Sequence, residues 1–209
     1  MKRQRLSRAD SRERTAQRLL DAAGRLIARQ GLDATSVEGI AEAAGYTRGA
    51  FYSNFRSKGD LLLALLRRDE QRTQARFTVA LEEAWRPTQA LAQIQQLLVG
   101  QHGDRDSFLL WTEGRMLSAR NTGFRMKFAS LFAERCNFVV KLIETLHRRA
   151  GKAPGIALEA LAMGFISLSE GVRLFLVSCP GEMPPSVAES ILQYFIDAVM
   201  PLQAVLGDL

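Results

Sequence analysis

Arg48, Gly49 and Ala50 follow Thr47 in a short helical stretch, and their chemistry is that of groove reading. A guanidinium can donate two hydrogen bonds to the O6 and N7 of a guanine, a small methyl can touch that of a thymine, and a glycine between them lets the backbone come close to the groove. Phe51 and Phe55, with Val37, Ile40 and Leu61, form the apolar set that would fix the angle of such a helix from behind. Arg48, Gly49, Ala50, Tyr52, Ser53 and Asn54 are left for its open face.

Elements able to hold that face can be read on either side of it. Thr35 or Ser36 can cap a helix whose apolar residues Val37, Ile40 and Ala41 fall at i, i+3 and i+4. Gly45 can take the left-handed conformation that reverses the chain between Ala44 and Tyr46, and Thr47 caps the helix after the turn. Upstream, Asp10 and Glu13 have capping-box spacing, Ala16, Leu19, Leu20, Ala23, Leu26 and Ile27 make a helical stripe, and Gly31 ends it. The pattern predicts a three-helix head over residues 10–54 containing a helix-turn-helix. Ser57, with Asp60 at the box position, opens a fourth helix expected to reach about Trp85, and Arg86-Pro87 marks its end.

Charge separates the chain the same way. Residues 1–58 carry 12 Lys and Arg against 6 Asp and Glu, whereas residues 59–209 carry 16 against 16, so the whole net charge of +6 accompanies the head. A basic end on a neutral body points to a polyanionic partner, double-stranded DNA. Beyond Pro87 the apolar periodicity stays helical between breaks at 100–104, 119–122, 151–155 and 178–185, with no hairpin signal, and the fold class expected is all-α. Residues 156–177 are apolar on most sides, and Val187, Ile191, Tyr194, Phe195, Ala198, Leu202, Val205 and Leu206 form a stripe interrupted by Pro201.

The segment Thr35–Leu61 closely resembles the DNA-binding region of the tetracycline-repressor (TetR) family of bacterial transcription regulators. Thr35, Ile40-Ala41, Ala44-Gly45, Thr47, Gly49, Phe51-Tyr52, Phe55 and Ser57-Lys58 stand in the family's register. Tyr46, Asn54 and Gly59 depart from it, where a smaller aliphatic residue, an aromatic or His, and an acid are usual. The resemblance implies that Arg48, Gly49 and Ala50 read bases and that Tyr52, Asn54 and Lys58 grip phosphates. Packing against the first helix is the other reading of Tyr52, and a solvated charge that of Lys58. Thr35 and Ser36 sit where a helix N-terminus would aim its amides at a phosphate. Lys2, Arg3, Arg5 and Arg8 form a basic arm that either reaches the minor groove or neighbouring phosphates, or stays disordered.

The resemblance further implies a homodimer through the last two long helices, with Val187, Ile191, Tyr194, Phe195, Ala198 and Leu202 at the interface, unless that stripe packs within its own chain. It implies a small-molecule effector, for which the apolar helices suggest a lipophilic compound, held within residues 88–180. Candidates there are Trp111, Met116, Phe128, Phe132, Met163 and Phe165, which ordinary core packing explains more readily than ligand contact, and the polar Glu113, Arg115, Glu170 and Arg173. Glu170 and Arg173, at i and i+3, also suit a plain intrahelical ion pair. The domains expected are residues 1–56 for DNA, 57–86 as a connecting helix, and 87–209 for ligand binding and dimerisation. A repressor released from a palindromic operator by its effector is the expected behaviour; co-repression, activation and redox sensing through Cys136 or Cys179 stay open.

Other classes are disfavoured. On one helix, Cys136 and His147 would stand roughly 16 Å apart at about 1.5 Å per residue, too far for a thiol and its base. The sequence offers no metal cluster, phosphate loop or serine elbow, so neither catalysis nor a cofactor is expected. Two distant cysteines suit a reducing cytoplasm. No uncharged stretch reaches the length of a membrane span, so no membrane partner is expected, and the basic N-terminus leads into charged residues rather than a signal-peptide core.

Overall fold

The computed structural model describes residues 7–83, 93, 97, 104–149, 151 and 153–199, and among them the secondary structure is eight helices and no strand. The all-α expectation holds. The chain divides into two compact units, one of residues 1–69 with 106–129, the other of residues 70–105 with 130–209. Lys2, Arg3, Arg5, Leu202 and the boundary at Arg86-Pro87 lie outside the described residues.

The first unit begins with α1, Arg8–Gln30. Its cap is Ser7: the hydroxyl accepts from the Asp10 amide and the Asp10 carboxylate accepts from the Ser7 amide, both at 3.1 Å. The capping box therefore stands three residues earlier than the Asp10 and Glu13 spacing predicts. A serine with an acid at the third helical position satisfies two orphan amides at once, and this draws Arg8 out of the expected arm into the helix. Leu19, Leu20, Ala23 and Ile27 bury the predicted stripe. Gly31, at φ 83°, closes the helix with its amide on the Ile27 carbonyl.

Two short helices come next, α2 (Val37–Ala43) and α3 (Arg48–Asn54), each in contact with α1 and with the other. Gly45 at φ 77° makes the turn between them, its amide bonded to the Glu42 carbonyl and that of Tyr46 to Ala41. Ile40, Phe51 and Leu61 are completely buried, while Val37 and Phe55 are half-buried at the margin. The unit also takes in the start of α4 (Lys58–Glu83), most of α5 (Arg105–Arg120) and the start of α6 (Thr122–Arg149). Asp69 accepts from the Ser107 hydroxyl at 2.8 Å and the Trp111 indole at 3.0 Å, fixing α5 to α4. Gly114 of α5 lies against Leu66 of α4 and Phe128 of α6.

The second unit holds the rest of α4 and α6 together with α7 (Leu158–Ser178) and α8 (Pro185–Val199). Its core is Phe77 of α4, Val139, Leu142, Ile143 and Leu146 of α6, Leu161, Ala162 and Ile166 of α7, and Ile196 of α8. The buried His147 ring bonds through Nδ1 to the Ile143 carbonyl. Helix α7, with 21 residues and a mean hydropathy of 1.6, is long and apolar enough to span a bilayer by length and composition only, a test that core helices also pass. Glu170 and Arg173 interrupt its uncharged run without lowering the average far. Both are committed inside the unit, Arg173 to the Asp104 carbonyl at 2.8 Å and Glu170 beside Arg135.

A Cβ at Gly114 would lie 2.7 Å from Leu66 Cδ1 and 3.0 Å from Phe128 Cε2. Leu66 is fully buried and cannot step aside freely. Gly114→Val should therefore cost about 1 to 3 kcal/mol through overpacking, measured as a lowered midpoint in urea unfolding.

Candidate nucleic-acid interface and interior cavity

Thr47 starts α3 by accepting the Ala50 amide on its hydroxyl, and Phe51 anchors the helix from behind. Arg48 and Gly49 then face outward and Ala50 is half-buried. The Arg48 guanidinium is pinned at its base: Nη1 lies 2.9 Å from Glu38 of α2, and the group sits 5.4 Å from the centroid of the Tyr52 ring. A hydrogen bond with the Tyr52 side chain, with the Glu38 charge second, raises the basicity of Arg48 further. Tyr52 itself packs edge-on against Phe51 of the same helix at 5.3 Å and stays 48% exposed. Asn54 is half-buried and its amide donates to the Ala50 carbonyl at 2.8 Å.

Two residues expected at phosphates have their side chains engaged within the head. Thr35 is entirely buried and its hydroxyl donates to the Gly31 carbonyl at 2.7 Å, so it ties the end of α1 to the start of α2 and its side chain cannot reach a phosphate. Ser36 is the cap of α2 and remains exposed, accepting from Gly39 at 2.9 Å. Lys58 directs its ammonium inward. Nζ donates to the carbonyls of Leu32 at 2.8 Å, Asp33 at 3.3 Å and Thr35 at 2.7 Å, which engages all three of its donors. A lysine so held is tied to the loop before Ser36 rather than to solvent. Sequence spacing could not show it, because the acceptors are backbone atoms more than twenty residues away.

Beside it, the Asp60 carboxylate meets Lys127 of α6 at 2.6 Å and caps α4 reciprocally with Ser57. The hydrogen bond from Lys127 holds the Asp60 carboxyl below its ordinary value of 3.8. Arg56, Lys58, Tyr52, Phe124 and Lys127 line a groove of about 630 Å³ in this unit.

The second unit encloses a cavity of about 50 Å³. Phe77, Phe138, Val139, Leu142, Phe165 and Ile166 make its apolar wall; Glu70, Thr73, Arg135, Ser169, Glu170 and Arg173 make its polar one. Arg135 lies 3.9 Å from Glu70 and 3.8 Å from Glu170, and the Ser169 hydroxyl is buried with no hydrogen-bond partner among the described residues. Of the pocket residues expected from the sequence, Phe165, Glu170 and Arg173 line this cavity. Phe132 packs on the adjoining core, and Met163 is 45% exposed. Trp111, Glu113, Arg115, Met116 and Phe128 belong to the first unit and do not line it; Trp111 and Phe128 pack together there. The missed residues recur at helical spacing, Glu70, Thr73 and Phe77 on α4 and Arg135, Phe138, Val139 and Leu142 on α6. On the last helix, Val187, Tyr194 and Ala198 are exposed, whereas Ile191 and Phe195 are half-buried, the latter 6.3 Å from Phe165.

The helices that present Arg48 are those a known family shares. A family model described as bacterial regulatory proteins of the TetR family matches residues 19–65, from the middle of α1 into α4. Residues 19–65 form a TetR-family segment. Over 49 residues it is 51% identical to the HTH-type transcriptional regulator AcrR of Shigella flexneri, a stretch that is 23% of each chain. The match thus spans about a quarter of the length of the curated relatives. The TetR-type fold extends further: the transcriptional regulator FadR of Bacillus subtilis, solved with stearoyl-CoA, aligns with a TM-score of 0.72 at 18% identity over 88% of this chain and 98% of its own. SmeT, the repressor of a multidrug efflux pump of Stenotrophomonas maltophilia, aligns at 0.67 and 19% identity over 90% and 92%.

Lys58→Met should lose charge-assisted bonds to three carbonyls and destabilise the protein by about 1.5 to 3 kcal/mol, read from circular-dichroism melting. Arginine should not restore it, since a planar fork cannot converge on three acceptors. The Asp60–Lys127 pair gives a pH signature. Because the folded carboxyl titrates below its unfolded value, its stabilisation is complete above 3.8 and is lost as pH falls through the folded value. Asp60→Asn should cost about 0.5 to 1 kcal/mol at neutral pH, and unfolding titrations should show that deficit closing below the unfolded value.

Proposed function

We propose that the chain is a ligand-responsive, sequence-specific DNA-binding transcription regulator, a repressor that leaves a palindromic operator when a small effector binds. The observation that carries this is the outward face of α3, where Arg48 and Gly49 stand exposed ahead of a completely buried Phe51. A helix fixed from behind and open in front suits the major groove, with Arg48 on a guanine, Ala50 on a thymine methyl and Gly49 allowing close approach. Ser36, Tyr52 and Asn54 are proposed to contact phosphates, giving affinity and register. Lys58 supports them by holding the loop before Ser36. The basic arm with Lys2, Arg3 and Arg5, and Arg8 in the first turn of α1, add positive charge to this end of the chain.

One head covers few base pairs, so two copies are needed for an operator whose half-sites repeat after one duplex turn, about 34 to 36 Å. The last two helices suit that pairing. Only 28% of the most apolar stretch of α7 is buried, and Met163, Leu174, Phe175, Val187 and Tyr194 are exposed on α7 and α8. A second copy would cover them, with Ala198 and Leu202 extending the interface and Ile191 and Phe195 supporting it. A protein that works on DNA in this way would act in the cytoplasm.

The cavity in the second unit supports an amphipathic effector, with an apolar body against Phe77, Phe138 and Phe165 and a polar group toward Arg135, Glu170 and Arg173. FadR of Bacillus subtilis holds stearoyl-CoA, a molecule of that character. At about 50 Å³ the cavity is far below the roughly 300 Å³ of an ordinary ligand pocket, so binding must open it. An effector that prefers the opened body shifts the population away from the DNA-competent dimer.

Arg48→Ala should weaken operator binding by about 1 to 3 kcal/mol and abolish preference at one base pair while leaving the others intact. Fluorescence anisotropy over a set of single-base operator variants measures this; unchanged preference at every position would refute the assignment.

A further inference from the structure

We infer that Glu38, on the first short helix of the motif, is a specificity-determining residue that aims the Arg48 guanidinium. This rests on the proposal that Arg48 reads a base.

Three observations place the two side chains in one unit. Glu38 Oε1 is 2.9 Å from Arg48 Nη1, although the residues lie on different helices and on opposite sides of the Gly45 turn. The guanidinium is seated over the Tyr52 ring, 5.4 Å from its centroid, so it is held on a second side by an aromatic face. That ring is itself fixed edge-on to the completely buried Phe51. Arg48 is therefore attached to the core through Tyr52 and to α2 through Glu38, while 64% of its side chain remains exposed.

A guanidinium has five N–H donors in a planar fork, and one carboxylate contact does not exhaust them. With Nη1 engaged by Glu38, a second edge of the fork can still present two parallel donors to a guanine. An unsupported arginine at the start of a short helix would lose its rotamer freedom on docking, which weakens the contact and lets it settle on nearby phosphates instead. Glu38 removes both defects. It orders the side chain before DNA arrives, and its own negative charge repels phosphates, reducing sequence-independent binding. The residue thus raises discrimination at the cost of general affinity, the opposite of what a basic residue at the same place would do.

The test uses full-length protein and duplexes selected by it from a random pool, with every single-base variant and a scrambled duplex as probes. Glu38→Ala should reduce discrimination at the base pair read by Arg48 by about tenfold, within the range of one bidentate contact. Binding to the scrambled duplex should stay equal or tighten. In an Arg48→Ala background the same change should have no further effect on discrimination, because the aimed group is gone. Glu38 is 58% exposed, so its removal leaves the fold in place, and an unchanged melting temperature verifies this. If Arg48→Ala lowers discrimination but Glu38→Ala does not, the aiming role is overturned and Arg48 still reads. If Arg48→Ala itself leaves every base preference unchanged, the underlying reading of Arg48 fails and the role of Glu38 falls with it.

Discussion

A single ammonium determines how the head is assembled. Lys58, the first residue of α4, donates to three carbonyls in the loop joining α1 to α2, that of Leu32 also accepting from the Thr35 amide. Thr35 closes the same loop from inside through Gly31. Together they set where Ser36 begins α2, and α2 with the Gly45 turn sets where Thr47 begins α3. The orientation of Arg48 is the end of that sequence of constraints. Besides its field, a charge used this way holds in place the groups proposed to meet DNA.

Much of this was legible in the chain itself. The turn at Gly45, the caps at Ser36, Thr47 and Ser57, and the buried Phe51 arise from local rules that depend on neighbours within four residues. The features that were not legible depended on distance. Lys58 reads as a basic residue at a helix start until its carbonyl partners are seen, and Thr35 reads as a cap until Gly31 is found beneath it. Even the first cap was displaced, because Ser7 and Asp10 satisfy two amides where Asp10 with Glu13 had only the spacing. The cavity shows the same limit: Phe165, Glu170 and Arg173 were found on an apolar helix, but Glu70 and Arg135 look like ordinary surface charges in a helical sequence until they are seen to turn inward.

Charge is handled differently in the two units. In the first, ion pairs such as Arg48 with Glu38 and Lys127 with Asp60 are open to water at least in part and serve geometry. In the second, Arg135, Glu70 and Glu170 gather around a small cavity with the Ser169 hydroxyl, and little of Glu70 or Arg135 reaches solvent. Buried groups of this kind contribute little net stability. They are well suited to recognising a ligand, since a molecule that offers a better partner to either sign of charge can rearrange them. Helix α4 runs from Lys58 to Glu83 and carries both the carbonyl-bound lysine and Glu70, so one continuous helix contains residues of both devices.

Two copies of α3 are proposed to read DNA together. Selection of bound sequences from a random duplex pool tests it most directly. Inverted repeats should be enriched, with half-site centres about 10 base pairs apart or a multiple of that, and with guanine at a fixed position in each half. Retention of duplexes without any enriched sequence would contradict the claim and reduce the head to a general polyanion binder.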